Sequence, residues 1–218
     1  KIFASDPYRD GDFITEAPIS LFKTWCKIYG LNYKGETPEL FLTEPEKEYF
    51  TPFYKLDKPI MVIQPNGGPE IQGFQYSWTR DIPSITVNQV IEHYKESHTI
   101  IHIKRPNQLV YDGTLQAHDG FRSIAILLKL ADKRILIDSF AQHMAAALDL
   151  KSTVCWVSTK PEIFGYNNNN NIKSEPFTKE PDLTSAVYNP FQLAQDVSSL
   201  PYNDLSEVFD INKIISST

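Results

Sequence analysis

The sequence predicts an α/β fold, a Rossmann-like parallel sheet with helices on both faces plus a small helical N-terminal segment. Three observations predict it. Short apolar runs at 60–64, 99–103, 135–137 and 153–157 have the length and branching of strands covered on both faces. Segments of helical period lie between them, the alternation expected of strand–helix–strand units. Finally, Arg134 to Leu148 reads as a buried strand, a sharp polar turn and a helix packed by the small residues Ala145, Ala146 and Ala147.

In chain order, residues 1–17 carry the turn signals Asp6-Pro7, Asp10-Gly11 and Ala17-Pro18. Ile19 to Tyr29 is an amphipathic helix with Leu21, Phe22, Trp25, Ile28 and Tyr29 on one face, stopped by Gly30. Leu40-Phe41-Leu42 is extended. Thr43 then caps a helix beginning Glu44-Pro45-Glu46, with proline in the first turn and acids near its positive end. Residues 1–57 thus have no sheet of their own and read as the rim of a neighbouring domain.

The regular pattern fills 58–165. Ile60 to Gln64 is a strand, and 65–83 a long loop rich in Pro, Gly, Gln and aromatics. Ser84 is placed to cap a helix over Ile85 to Tyr94. Thr99 to Ile103 is the second strand and Leu109-Val110-Tyr111 a short third one. Helix Phe121 to Leu130, strand 135–137, helix 141–148 and strand Thr153 to Val157 complete the block. Beyond it, 166–218 is an irregular tail rich in Asn and Pro. The run Asn167 to Asn171 reads as a solvated loop, 173–203 as extended chain, and Leu205 to Ile215 as a terminal helix.

The net charge of −6 leaves no basic stripe for a nucleic acid, although Lys104-Arg105 can hold a small anion. Cys26 and Cys155 fit a cytoplasmic chain better than a disulfide scaffold. No stretch is long enough to span a bilayer. His93, His98, His102, His118 and His143 show no metal-ligand spacing, and Asp10-Gly11-Asp12 is better read as a turn than as a metal site.

In open parallel sheets, ligands bind beyond the carboxyl ends of the strands. Asn66-Gly67-Gly68 follows the first strand, and its glycines allow close backbone approach to an anion. Lys104 and Arg105 follow the second. Asp138, Ser139 and His143 follow the strand at 135–137, where Ser139 can cap the next helix through its hydroxyl and the helix start attracts an anion. Ser158 and Thr159 follow the strand at 153–157. Arg80, in the long loop, is shaped for bidentate phosphate binding, and Trp78 can cover a ring or pin the loop.

Ile137 to Leu148 resembles the signature of the heptosyltransferase-like glycosyltransferases, carbohydrate-active enzyme family nine: Asp, Ser or Thr, Gly, two variable residues, His, Leu, then small residues ending in Ala-Leu. Val154 to Pro161 is similar to the strand and turn that follow it in that family. Ile63 to Gly68 and Trp78 to Pro83 look like its strand–Pro–Gly loop and its Lys/Arg, Trp and Pro segment. The resemblance covers roughly 19–165, and two positions depart from it: Phe140 stands where the family has Gly, and Tyr76 where it has Lys.

The resemblance implies the C-terminal, donor-binding domain of a GT-B fold, with 1–57 a remnant of the N-terminal acceptor domain and the terminal helix packing back on it. It implies a nucleotide-diphosphate sugar bound by Asn66, Gly67, Gly68, Arg80, Lys104, Arg105, Asp138, Ser139 and His143, without metal or cofactor. The acceptor would be a glycan or lipid-glycan, met in the cytoplasm or at the inner face of a membrane. The catalytic base is expected in the acceptor domain, so the chain would be part of a longer enzyme or rely on a partner. A non-catalytic nucleotide-sugar-binding module and a GT-B-like epimerase are the alternatives.

Overall fold

The computed structural model describes residues 20–67, 77–117, 120–179 and 200–218. Its helices are α1 (Leu21–Ile28), α2 (Glu44–Phe50), α3 (Ser84–Tyr94), α4 (Phe121–Leu130), α5 (Phe140–Ala147), α6 (Pro161–Phe164) and α7 (Ile211–Ser217). Its strands are β1 (Ile60–Ile63), β2 (Thr99–His102), β3 (Thr114–Gln116), β4 (Lys133–Ile137), β5 (Thr153–Trp156) and β6 (Asn170–Lys173). They form one sheet in the order β3-β2-β1-β4-β5-β6, with every neighbouring pair parallel. This is the doubly wound order of Rossmann folds. It reverses direction between β1 and β4, which leaves a crevice at their carboxyl ends.

Strand alternation sorts the core into two layers. Met61, Ile63, Ile100, Ile135 and Ile137 pack with Val87, Val90 and Ile91 of α3 and Ile214 of α7. Ile60, Val62, Ile101, Leu136 and Val154 pack on the other face with Ile126 and Leu127 of α4 and Ala141 and Ala145 of α5. Burial of each large aliphatic side chain contributes about 1.5–3 kcal/mol. The alanines let α5 lie close to the sheet, which fixes where its N-terminus points.

The end of the N-terminal segment joins this second layer through Leu42, Phe50, Tyr54 and Leu56. α2 opens with a capping box, in which Thr43 Oγ1 accepts from the Glu46 amide and the Glu46 carboxylate accepts from the Thr43 amide at 2.8 Å. Arg122 of α4 donates to the same carboxylate at 2.5 and 2.6 Å, so one guanidinium clamps α2 to the sheet domain. Together with Thr43, it holds the Glu46 carboxyl down at about 2.

Several sequence expectations are corrected. The third strand is Thr114–Gln116, not 109–111; it is a largely exposed edge with no apolar run to announce it. The asparagine run is not a solvated loop, because Asn170 and Asn171 open β6 and Asn169 is buried. Ser84 is the first residue of α3, and Pro83 holds the cap position. Residues 205–215 split into a 3₁₀ turn at Leu205–Glu207 and helix α7. That helix packs on α3, β5 and β6, across the sheet from Phe50 and Tyr54, so it does not pack back on α2 or on the turn that follows it. Asp10 to Asp12, Gly68, Tyr76, His118 and residues 180–199 lie outside the described residues.

Candidate functional site

Four strand ends converge on one cleft of about 740 Å³ at the β1/β4 reversal. β1 delivers Gln64, Asn66 and Gly67; β2 delivers Lys104 and Arg105; β4 delivers Asp138 and Ser139; β5 delivers Thr159. Arg80 enters from the turn before α3, and His143 from the first turn of α5. Eight of the nine residues singled out in the sequence therefore line a single cavity, and the ninth, Gly68, lies outside the described residues.

The loop after β1 is held by a residue the sequence did not single out for the site. Asp81 is buried and accepts from Asn66 Nδ2 at 3.1 Å, from the Gly67 amide at 3.0 Å and from the Ser77 amide at 2.9 Å. The Gly67 amide is thus committed to Asp81 rather than open to a ligand. Burial raises the Asp81 carboxyl above its ordinary range, against the pull of those three donors. Gly67 also has a packing reason to be glycine, since a Cβ there would stand 3.1 Å from Ile137 Cδ1.

At the β4 end, Ser139 occupies the N-cap position of α5, but its side chain makes no cap bond. Its hydroxyl instead accepts from Gln64 Nε2 at 3.2 Å, which ties the β1 and β4 loops together and corrects the expected hydroxyl cap. The backbone amides of Phe140 and Ala141 meet no acceptor among the described residues, so the start of α5 presents donors. Phe140 does not block it. Its ring packs edge-on against Phe121, with centroids 5.6 Å apart, and both rings line the cleft wall.

Asp138 lies on the cleft floor. Burial raises its carboxyl, while the neighbouring Thr159 hydroxyl, His143 ring and Arg80 guanidinium pull the other way. The Thr159 hydroxyl lies close to this carboxylate yet closes no hydrogen bond. Burial lowers the His143 imidazole, which keeps it neutral, and Asp138 opposes this. Gln64 Oε1, Asn66 Oδ1 and Thr159 Oγ1 are buried without a partner among the described residues.

The cleft is therefore divided. Arg80, Lys104, Arg105 and the α5 amides offer positive charge and donors, while the floor offers carboxylate and carbonyl acceptors. The Arg80 side chain makes no hydrogen bond or ion pair among the described residues, while its backbone amide donates to the Ser77 carbonyl at 3.1 Å. Lys104 Nζ instead donates to its own loop, to the carbonyls of Arg105 at 2.8 Å and Pro106 at 3.3 Å. Among the described residues, no group of three or more His, Cys, Asp or Glu side chains is placed to hold a metal, and no helix is long and apolar enough to cross a membrane. Apart from Asp81, the site residues missed in the sequence are Gln64, Gln108 and the aromatic wall of Phe121, Phe140 and Phe164. Phe140 was visible only as a departure from the family motif.

No protein-family model matches the chain, and no curated protein matches it. Solved structures do. The glycosyl transferase family 9 structure from Veillonella parvula DSM 2008 superposes with a TM-score of 0.62 at 10% identity, over 93% of this chain and 60% of that one. E. coli ADP-heptose lps heptosyltransferase II gives 0.53 at 15% identity, over 68% and 49%. The bacterial iron-containing dodecameric glycosyltransferase TibC from enterotoxigenic E. coli H10407 gives 0.52 at 13%, over 90% and 45%. The chain thus spans about half the length of these structures. At such identities the likeness establishes architecture: the chain has the Rossmann-like α/β fold found in those glycosyltransferases.

Proposed function

We propose that this chain is the donor-binding part of a glycosyltransferase and that its cleft holds a nucleotide-diphosphate sugar. The observation that carries the reading is the convergence of Arg80, Lys104, Arg105 and the start of α5 on one cavity at the strand-order reversal. The solved structures sharing the fold, all described as glycosyltransferases, support it. The diphosphate would lie against the cations and the α5 amides, and the sugar hydroxyls would donate to Asp138 and the buried side-chain oxygens. As the glycosidic bond to the donor phosphate breaks, negative charge builds on the diphosphate, and donors already in place stabilise it without reorganising.

The reaction also needs a base for the acceptor hydroxyl. Asp138 is the carboxylate lining the cleft among the described residues, and its burial on the floor suits it to hold the donor. We assign the base to an acceptor-binding half, in a longer or two-part enzyme. Metal-independent transfer, a glycan or lipid-glycan acceptor and a cytoplasmic site of action belong to the same proposal.

Titration calorimetry with ADP, UDP and GDP, free and sugar-linked, tests the reading. Saturable binding of one series supports it, and heat from none removes it. A non-catalytic binding module is the second reading, favoured by a cation-rich cleft in which Asp138 is the one carboxylate among the described residues. Binding without sugar transfer, even when an acceptor-binding half is supplied, would select it.

A further inference from the structure

Tyr166 lies between α6 and β6, away from the strand ends that built the site. Its hydroxyl stands 3.0 Å from His143 Nδ1, and the two rings meet edge-on at 78° with centroids 5.7 Å apart. We propose that Tyr166 is a positioning residue acting through His143: its hydroxyl donates to Nδ1 and so fixes the ring proton on Nε2. The inference rests on the cleft being a nucleotide-sugar site, since it concerns how His143 meets that ligand.

The donor direction follows from chemistry. The lone pair of a neutral imidazole nitrogen is a better acceptor than a phenol oxygen, and a phenol is the better donor. Burial and the nearby Asp138 keep the phenol protonated, and burial keeps the imidazole neutral, leaving it one acceptor nitrogen. Gln142 Nε2 lies 3.4 Å from Nδ1 and 3.3 Å from Nε2, and so selects neither. Among the described residues, the charged and titratable groups facing this pair are Asp138 at the end of β4 and Tyr33, which lies near Tyr166, while Arg80 in the turn before α3 acts on Asp138.

The asparagine run supplies the scaffold. The Tyr166 carbonyl accepts from Asn171 Nδ2 at 3.1 Å and from the Asn169 amide at 3.2 Å. Asn171 Oδ1 in turn accepts from Trp156 Nε1 at 2.9 Å, and Asn169 Oδ1 from the Ser152 amide at 3.1 Å. The run thereby pins Tyr166 to β5, whose Trp156 is buried. Gln142 Nε2 donates to the Phe164 carbonyl at 3.1 Å and ties α5 to the same segment. Outer hydrogen bonds of this kind fix the orientation and tautomer of an inner group.

The test is ¹⁵N NMR of the His143 ring in the wild-type chain and in Tyr166→Phe, with calorimetry against ADP, UDP and GDP. The wild-type ring should carry its proton on Nε2. Tyr166→Phe should melt within a few degrees of wild type, lose the single tautomer, and bind nucleoside diphosphate roughly three- to tenfold more weakly, the scale of one lost hydrogen bond. A wild-type ring protonated on Nδ1, or ring signals unchanged in Tyr166→Phe, would overturn the inference. If no nucleotide binds the wild type, the functional reading fails, while the ring spectra still decide the tautomer.

Discussion

Asn66 and Asp81 tie the two ends of the β1–α3 connection together, with Asn66 Nδ2 donating to Asp81 Oδ2 at 3.1 Å. The bond joins the end of β1 to the turn that carries Arg80. The end of β1 and the turn that carries Arg80 are thereby set by one buried carboxylate.

Asp81→Ala should therefore cost stability and affinity together. It leaves the Asn66, Gly67 and Ser77 donors without an acceptor, a loss of about 2–4 kcal/mol readable by urea unfolding. Nucleoside-diphosphate binding should fall as Arg80 loses its placement. The pH dependence has a definite sign. The folded carboxyl is raised, so its contribution is full below the ordinary aspartate range and is lost as pH rises through the folded value. Asp81→Asn should remove that slope.

Arg80→Ala should leave the melting temperature near wild type, because the side chain is half-buried and makes no bond among the described residues. Nucleoside-diphosphate affinity should drop at least about tenfold, the scale of a lost charge-assisted hydrogen bond. Lys104→Ala should cost less, because its ammonium already bonds its own loop. Calorimetry on the two variants checks the order.

Asp138→Asn separates binding from folding. Burial disfavours the charged carboxyl, so the neutral isostere should melt at or above wild type at pH 7. It should also weaken binding of the sugar-linked nucleotide more than of the free diphosphate, because the floor would meet the sugar. Equal losses for both ligands would place Asp138 beside the phosphates instead.

His102 at the end of β2 is fully buried with neither ring nitrogen bonded among the described residues, and burial, reinforced by Lys104, lowers it to about 4. The folded value lies below the unfolded one of about 6.5, so its contribution is full above the unfolded value and is lost as pH falls toward 4. The loss amounts to about 3 kcal/mol. Asp81 and Asp138, both raised, slope the other way. His102→Leu should flatten the acid limb of a urea-unfolding series between pH 7 and 4.

The parallel sheet could be read from the sequence because β1, β2, β4 and β5 are covered on both faces and must be apolar runs; its strand order, and with it the reversal point, comes from pairing between segments distant in the chain. The cleft could be read because every strand end carries polar or small residues. The edge strands could not. β3 is exposed and β6 opens on asparagines, whose side chains bond Trp156 and Tyr166 instead of packing in the core. Asp81 was hidden for a different reason: two of its three donors, Asn66 Nδ2 and the Gly67 amide, sit at the far end of the same β1–α3 connection and reach it only in the fold. Ser139 was found for the right place and the wrong bond, since its hydroxyl serves Gln64.

The most direct test of the central claim is an amide NMR titration of the labelled chain with ADP, UDP and GDP. Saturable shifts are expected for one nucleotide, largest at Ser139, Phe140 and Ala141 and in the loop around Lys104 and Arg105, and weakened in Arg80→Ala. No saturable shifts with any of the three, or shifts confined to surfaces away from the β1/β4 cleft, would contradict it.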